Sequence, residues 1–196
     1  MKGKMFAKKG VKTVLPLSGK NVLVLGGGKF GTNALRYLKQ NGTRVLVVDI
    51  DPECVAGHEA DVLATDSGAL FCLRNGESAL VVADAIEVLG NMLDLGSVPD
   101  LVFTAIPGNV VAKLAVLILG KRGFEVKAYS NGVPEVLDNV PKSLVSFVDK
   151  DAGFVVASYM LPDERCRENC LPPHGVCAVT GRPKLAPMNL VLEFGV

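Results

Sequence analysis

Between Asn21 and Asp51 the chain runs NVLVLGGGKFGTNALRYLKQNGTRVLVVDID, and this stretch restricts its fold more than any other. An apolar run, Val22 to Leu25, stops at a glycine cluster that supplies Gly26, Gly28 and Gly31 in the spacing G-x-G-x-x-G. A helix-forming run follows, Thr32 to Gln40. Asn41-Gly42 breaks it, and a second apolar run, Val45 to Val48, ends on Asp49. A glycine at the first position allows a tight strand-to-helix turn. At the second it lets a pyrophosphate approach the backbone, and at the third it lets the helix pack close to the strand. The free N–H groups and positive dipole end of that helix then face the phosphates. Asp49 is spaced to accept hydrogen bonds from an adenosine ribose. Its charge repels a 2′-phosphate, so NAD is expected over NADP. Arg44 stands at the start of the second strand, too far back to offset that repulsion. A related fold that holds another nucleotide, or none, fits the same pattern.

Strand-like and helix-like runs continue to alternate. Asp61–Ala64 reads as a short strand, Ala69–Arg74 as one or two helical turns, and Ala79–Val82 as a strand. Asp84 caps a helical run to about Leu95. Asp100–Ile106 is a strong strand, Asn109–Lys121 a helix, and Phe124–Tyr129 another strand. Such alternation implies an α/β fold, a doubly wound, mostly parallel sheet of the Rossmann type. Aromatic residues are sparse at 6%, and the apolar fraction is mostly Val, Leu and Ala, as suits strands buried on both faces. Beyond Gly132 the pattern changes. Leu144–Asp149 and Phe154–Met160 read as a C-terminal β-hairpin added to the sheet edge, and Asn189–Phe194 as a last strand. The expected division is a basic flexible leader, 1–18, a dinucleotide-binding domain, 19–160, and a Cys-rich extension, 161–196.

Ligands bind at the carboxyl ends of the strands in a sheet of this kind. Ile106 and Pro107, which follow the strong strand, should therefore lie near the pyrophosphate or nicotinamide. Cys54 and Cys72 have apolar neighbours and are expected to pack as small hydrophobes. His58, beside Glu59 and Asp61, could pair with a carboxylate for acid–base chemistry, but a solvated histidine is the simpler reading.

The segment ERCRENCLPPHGVC places Cys166, Cys170, His174 and Cys177 in the series C-x3-C-x3-H-x2-C. Three thiolates and an imidazole form a valid structural zinc set. The cysteines alone could hold an iron–sulfur cluster with one ligand from elsewhere. A disulfide, or reduced surface thiols, fits the same series.

With net charge +1, the chain as a whole gives no sign of nucleic-acid binding. The lysines of the leader interrupt every apolar run, so no signal peptide is read there. Leu101–Leu119 is broken by Pro107, Gly108, Asn109 and Lys113 and is no membrane span. A cytoplasmic location and a homo-oligomer are expected. No G-x-S-x-G elbow, H-E-x-x-H or P-loop occurs.

Residues 20 to about 130 resemble the TrkA-N type of NAD-binding domain, through VLVLGGGKFG, the acid in VVDIDP and the ADVLATD segment. The resemblance implies cofactor contacts at Gly26, Gly28, Lys29, Phe30, Gly31, Asp49, Ile50 and Asp66. It departs after about Ala69. A second resemblance, to the NAD-dependent precorrin-2 dehydrogenase domain, rests on LPLSGKNVLVLGGG and the length. Two functions are compatible with these readings. One is an NAD-linked oxidoreductase acting on a small-molecule substrate, with a metal-bearing tail. The other is a non-catalytic NAD(H) sensor that signals to a regulatory protein partner.

Overall fold

The computed structural model describes residues 16–160, 164, 175–184, 188 and 190. Contacts divide the chain into two compact units, Met1–Glu125 and Val126–Val196.

In the first unit, β1 (Asn21–Leu25), β2 (Arg44–Asp49), β3 (Val62–Ala64), β4 (Ser78–Val82) and β5 (Leu101–Thr104) form one sheet. Its order is β3-β4-β2-β1-β5, and every pairing is parallel. The helices are α1 (Lys29–Gln40), the short α2 (Ala69–Cys72), α3 (Ala85–Asp94) and α4 (Val110–Lys121). Side chains alternate across a strand, so each strand feeds two cores. Val22, Val24, Val45 and Val47 pack with Ala34, Leu35 and Leu38 of α1 and with Cys54 and Ala56 beyond β2. Leu23, Leu25, Leu46 and Val48 point the other way, against Leu70, Leu89, Met92 and Val110. Both faces of the central strands are thus covered, which explains why β1 and β2 read as unbroken apolar runs. At the amino end, Asp100 accepts the Asn21 N–H at 2.8 Å and meets Lys20 Nζ at 2.9 Å, fixing the start of β5 beside β1.

The second unit contains α5 (Gly132–Asn139), a 3-10 turn (Lys142–Leu144), and two antiparallel pairs. One pair is β6 (Val145–Asp149) with β7 (Phe154–Ala157), and the other is β8 (Gly175–Val176) with β9 (Pro183–Lys184). Phe147 and Phe154 stack across the first pair, ring centroids 5.8 Å apart.

Several elements differ from the sequence reading. The hairpin forms, but as a sheet of its own, not as an addition to the parallel one. Residues 124–129 form no strand: a β-like pattern needs a neighbouring strand to ladder with, and among the described residues this segment joins no sheet. α5 was not foreseen. Asn189–Phe194 lies outside the described residues, apart from Leu190. No described helix is long and apolar enough to cross a membrane.

Candidate functional site

The site is built around the end of β1. Gly26 turns the chain at φ +101, a region that side chains rarely adopt. A Cβ there would also meet Ile106 Cγ2 at 2.9 Å and the Ala105 backbone at 3.0 Å. Gly26 N–H donates to Val48 O at 2.8 Å, and Ala105 N–H to Leu25 O at 2.7 Å. The turns after β1 and β5 therefore sit side by side. The chain leaves β1 toward β2 on one side and returns to β5 on the other, and a crevice opens where the order reverses.

Gly28 is the N-cap of α1. No side chain caps this helix and its first turn holds no acid, so the carboxylate at its positive end is that of Asp49, on the Gly27 N–H. A Cβ on Gly28 would find nothing within 4 Å, so the backbone here faces open space. The buried Thr32 hydroxyl donates to Gly27 O at 3.1 Å and Gly28 O at 2.9 Å, holding the loop rigid from beneath. Gly31 faces inward, with its absent Cβ 1.8 Å from Gly26 O.

Asp49 ends β2. One carboxylate oxygen accepts the Gly27 N–H, and the other accepts the Asp51 N–H at 2.9 Å. Each oxygen keeps an acceptor position for a further donor. Ile50 and Phe30 are 74% and 73% exposed. Arg44, at the other end of β2, donates to Gly19 O at 2.7 Å and cannot reach Asp49's surroundings.

A cavity of about 230 Å³ lies at the carboxyl ends of β2, β4 and β5. Val48, Asp49, Ile50, Asp84, Ala85, Ile86, Ile106, Pro107 and Lys113 line it. Asp49, Ile50, Ile106 and Pro107 are thus brought together. Asp66 is not among the lining residues. It follows β3 at the sheet edge and accepts the Gly68 N–H at 2.7 Å. The strand beside β2 is β4, whose end carries Asp84, and Asp84 lines the cavity. Lys113 lines the cavity and donates to Pro107 O at 3.3 Å.

Two neighbours of the loop were not foreseen. A Cβ on Gly27 would lie 2.4 Å from Cys54 Sγ and 3.3 Å from Ala56 Cβ, so Cys54 would have to move to admit it. Ala56 N–H donates to Gly27 O at 2.9 Å, so the turn after β2 clasps the glycine loop. Burial pushes the Cys54 thiol above its usual range, as suits a packing group. Cys72 is exposed, against the expectation that it packs. His58 stands at the surface, Nε2 3.9 Å from Glu53, away from the cavity lining.

In the second unit, Cys177 is buried beside Met160, sulfur to sulfur 3.8 Å. It begins a tight turn closed by Cys177 N–H to Arg182 O at 2.8 Å. The Thr180 hydroxyl and the N–H groups of Thr180 and Val179 hydrogen-bond its sulfur, and with Lys184 nearby the thiol falls to about 7. Cys166, Cys170 and His174 lie outside the described residues. Among the described residues no three His, Cys, Asp or Glu side chains converge on a metal position.

Fold and crevice together define an α/β protein with a glycine turn at the switch point of a parallel sheet. Residues 22–110 match the family model AF_1314_N, described as an uncharacterized protein's N-terminal domain. Residues 108–195 match the companion C-terminal domain. A relative from Archaeoglobus fulgidus, also described as an uncharacterized protein, is 30% identical over 172 residues, covering 88% of this chain and 73% of that protein. The chain belongs to this family. Neither TrkA-N nor precorrin-2 dehydrogenase is among the matching families, so both resemblances fail as assignments. They rested on a strand, a glycine turn and an acid, which unrelated nucleotide-binding proteins share.

Proposed function

We propose that the crevice binds NAD(H), that the first unit is a doubly wound dinucleotide-binding domain of the Rossmann type, and that the protein is a redox-linked oxidoreductase. One observation carries this reading. Asp49 grips the glycine loop through Gly27 while Gly28 presents bare backbone to open space. A ribose would bond the remaining acceptor positions of Asp49, and a pyrophosphate would lie over Gly28 at the head of α1. Ile106 and Pro107 would flank the nicotinamide half, which supplies hydride. Ile50 and Phe30 offer exposed apolar surface. Lys113 is the cationic group in the cavity lining, and among the described residues no His, Tyr or Cys lines it. The small choice of proton donors favours a second reading, a sensor of NAD(H) that signals to a protein partner without turnover.

Calorimetry with both cofactors tests the binding claim. NAD(H) should bind about tenfold or more tighter than NADP(H), since a buried like-charge contact costs over 1 kcal/mol. Asp49→Ala should narrow that gap. Equal or tighter NADP(H) binding to the parent chain would refute the preference. Hydride transfer to any of a panel of small carbonyl compounds would separate the oxidoreductase from the sensor.

We also propose that Cys177, with Cys166, Cys170 and His174, binds zinc or an iron–sulfur cluster. The support is the Cys177 turn, whose N–H and hydroxyl donors keep a thiolate available near neutral pH. Metal ligation requires that thiolate, so affinity should fall as pH drops below about 7, where the proton competes. Anaerobic preparations should carry stoichiometric metal. Chelator should open new protease cuts near the cysteines and leave the sheet-bearing fragment intact. Absent metal, together with cutting indifferent to chelator, would leave the tail as a plain loop.

A further inference from the structure

Met160 and Cys177 bring two sulfur atoms together within the second unit. Met160 follows β7, and its N–H donates to Ser158 Oγ at 2.9 Å, which fixes the turn after that strand. Cys177 follows β8, and Gly181 N–H closes its turn on Cys177 O at 2.9 Å. The two sulfurs stand 3.8 Å apart. Two sulfur donors bound to one ion at about 2.3 Å, with a tetrahedral angle between them, stand about 3.8 Å apart. Met160 also lines a cavity of about 230 Å³ with Met188 and Lys184, so a second methionine borders the space beside this pair.

The donor types and the local charge select the ion. A thioether is neutral and soft, and with a thiolate it favours cuprous copper over harder divalent ions. Cys177 is 1% exposed, and among the described residues it joins no group of three His, Cys, Asp or Glu side chains. The neighbouring charge that acts on its sulfur is the Lys184 ammonium. A monovalent ion on this thiolate is neutral overall. A divalent ion would keep a net charge in a buried place beside a cation.

We propose that Cys177 and Met160 share a site for a soft monovalent ion, cuprous copper, with Met188 as a further donor from the cavity wall. The site rests on the reading of Cys177 as a metal ligand and differs from it in the partner and in the ion. Binding exchanges a proton for the ion: the S–H bond of Cys177 breaks, an S–Cu bond forms, and the proton leaves to solvent with no change of oxidation state.

The full chain, freed of metal by chelation and kept anaerobic, should withdraw cuprous ion from its bicinchoninate complex, read as loss of that complex's colour. Met160→Leu keeps the apolar volume and removes the sulfur. It should lower cuprous affinity by about tenfold or more, as loss of even an outer partner of a metal site does. Its zinc affinity and urea midpoint should match the parent's, and X-ray absorption of the copper-loaded chain should show one sulfur neighbour fewer. Equal uptake by both proteins would place copper on the tail's other cysteines and overturn the Met160 assignment, leaving zinc or cluster binding as proposed. So would a chain that takes up zinc or iron and draws no copper from the competitor. A folded chain that binds no metal at all would overturn both readings.

Discussion

Gly31→Ala should cost the first unit about 3 kcal/mol or more of stability, in the range where a single core substitution unfolds a protein. An added Cβ would stand 1.8 Å from Gly26 O and 2.9 Å from its carbonyl carbon. Those are backbone atoms and cannot rotate away. Gly26 is itself tied to β2 through Val48 O, so the turn cannot retreat. Relief requires lifting α1 from β1, which would break the packing of Ala34, Leu35 and Leu38 on Val22 and Val24. Gly120→Ala is the matched control. Gly120 lies inside α4, exposed, with nothing within 4 Å of an added Cβ. Removing a helical glycine there should stabilise by about 0.5–1 kcal/mol. Urea unfolding followed by circular dichroism reads both, and the two midpoints should move in opposite directions. A Gly31→Ala midpoint equal to the parent's would mean that α1 does not pack on β1 this closely.

The stretch from β1 to β2 was legible because local sequence and tertiary role agree there. The unbroken apolar runs match strands buried on both faces, and the glycine spacing matches a turn that needs glycine at Gly26 and Gly31. Asp49 followed, since the end of the second strand fixes where its carboxylate stands. Sheet order was not legible in the same way. ADVLATD and SALVVAD each present a short apolar run followed by an acid, and the choice of neighbour for β2 is made by packing. A signal did exist. Ser78–Val81 is buried throughout, as an inner strand must be, whereas Val62 and Leu63 of the three-residue β3 are exposed, as an edge allows. Run length and flanking polarity distinguish the inner strand that ends before Asp84 from the edge strand that ends before Asp66. The clasp between Cys54 and Gly27 left no sequence trace, because it depends on how the turn after β2 folds back. Residues 124–129 show the reverse case, a strand-like pattern that joins no sheet among the described residues.

Gly28→Val should do the opposite of Gly31→Ala, leaving the fold and removing the ligand. Gly28 sits at φ −70 and ψ −168, an extended conformation open to any residue. Its Cβ would touch nothing, so the protein itself gives no reason for glycine at this position. The loss of a favoured N-cap residue should cost about 1 kcal/mol or less. Yet Gly28 stands at the head of α1, where the N–H groups would meet a pyrophosphate at contact distance, and valine's two methyl groups would fill that space. Losing two charge-assisted hydrogen bonds, each worth about 1.5 kcal/mol or more, lowers affinity by roughly a hundredfold or more. Calorimetric titration of NAD(H) into Gly28→Val should therefore show no measurable binding, at a urea midpoint close to the parent's. The pairing is what makes the result informative. A destabilised protein loses ligand for trivial reasons, whereas a stable one that loses it has lost the surface the ligand uses. If Gly28→Val binds as well as the parent, the head of α1 is not a phosphate site. The openness above Gly28 would then have to serve something other than a dinucleotide.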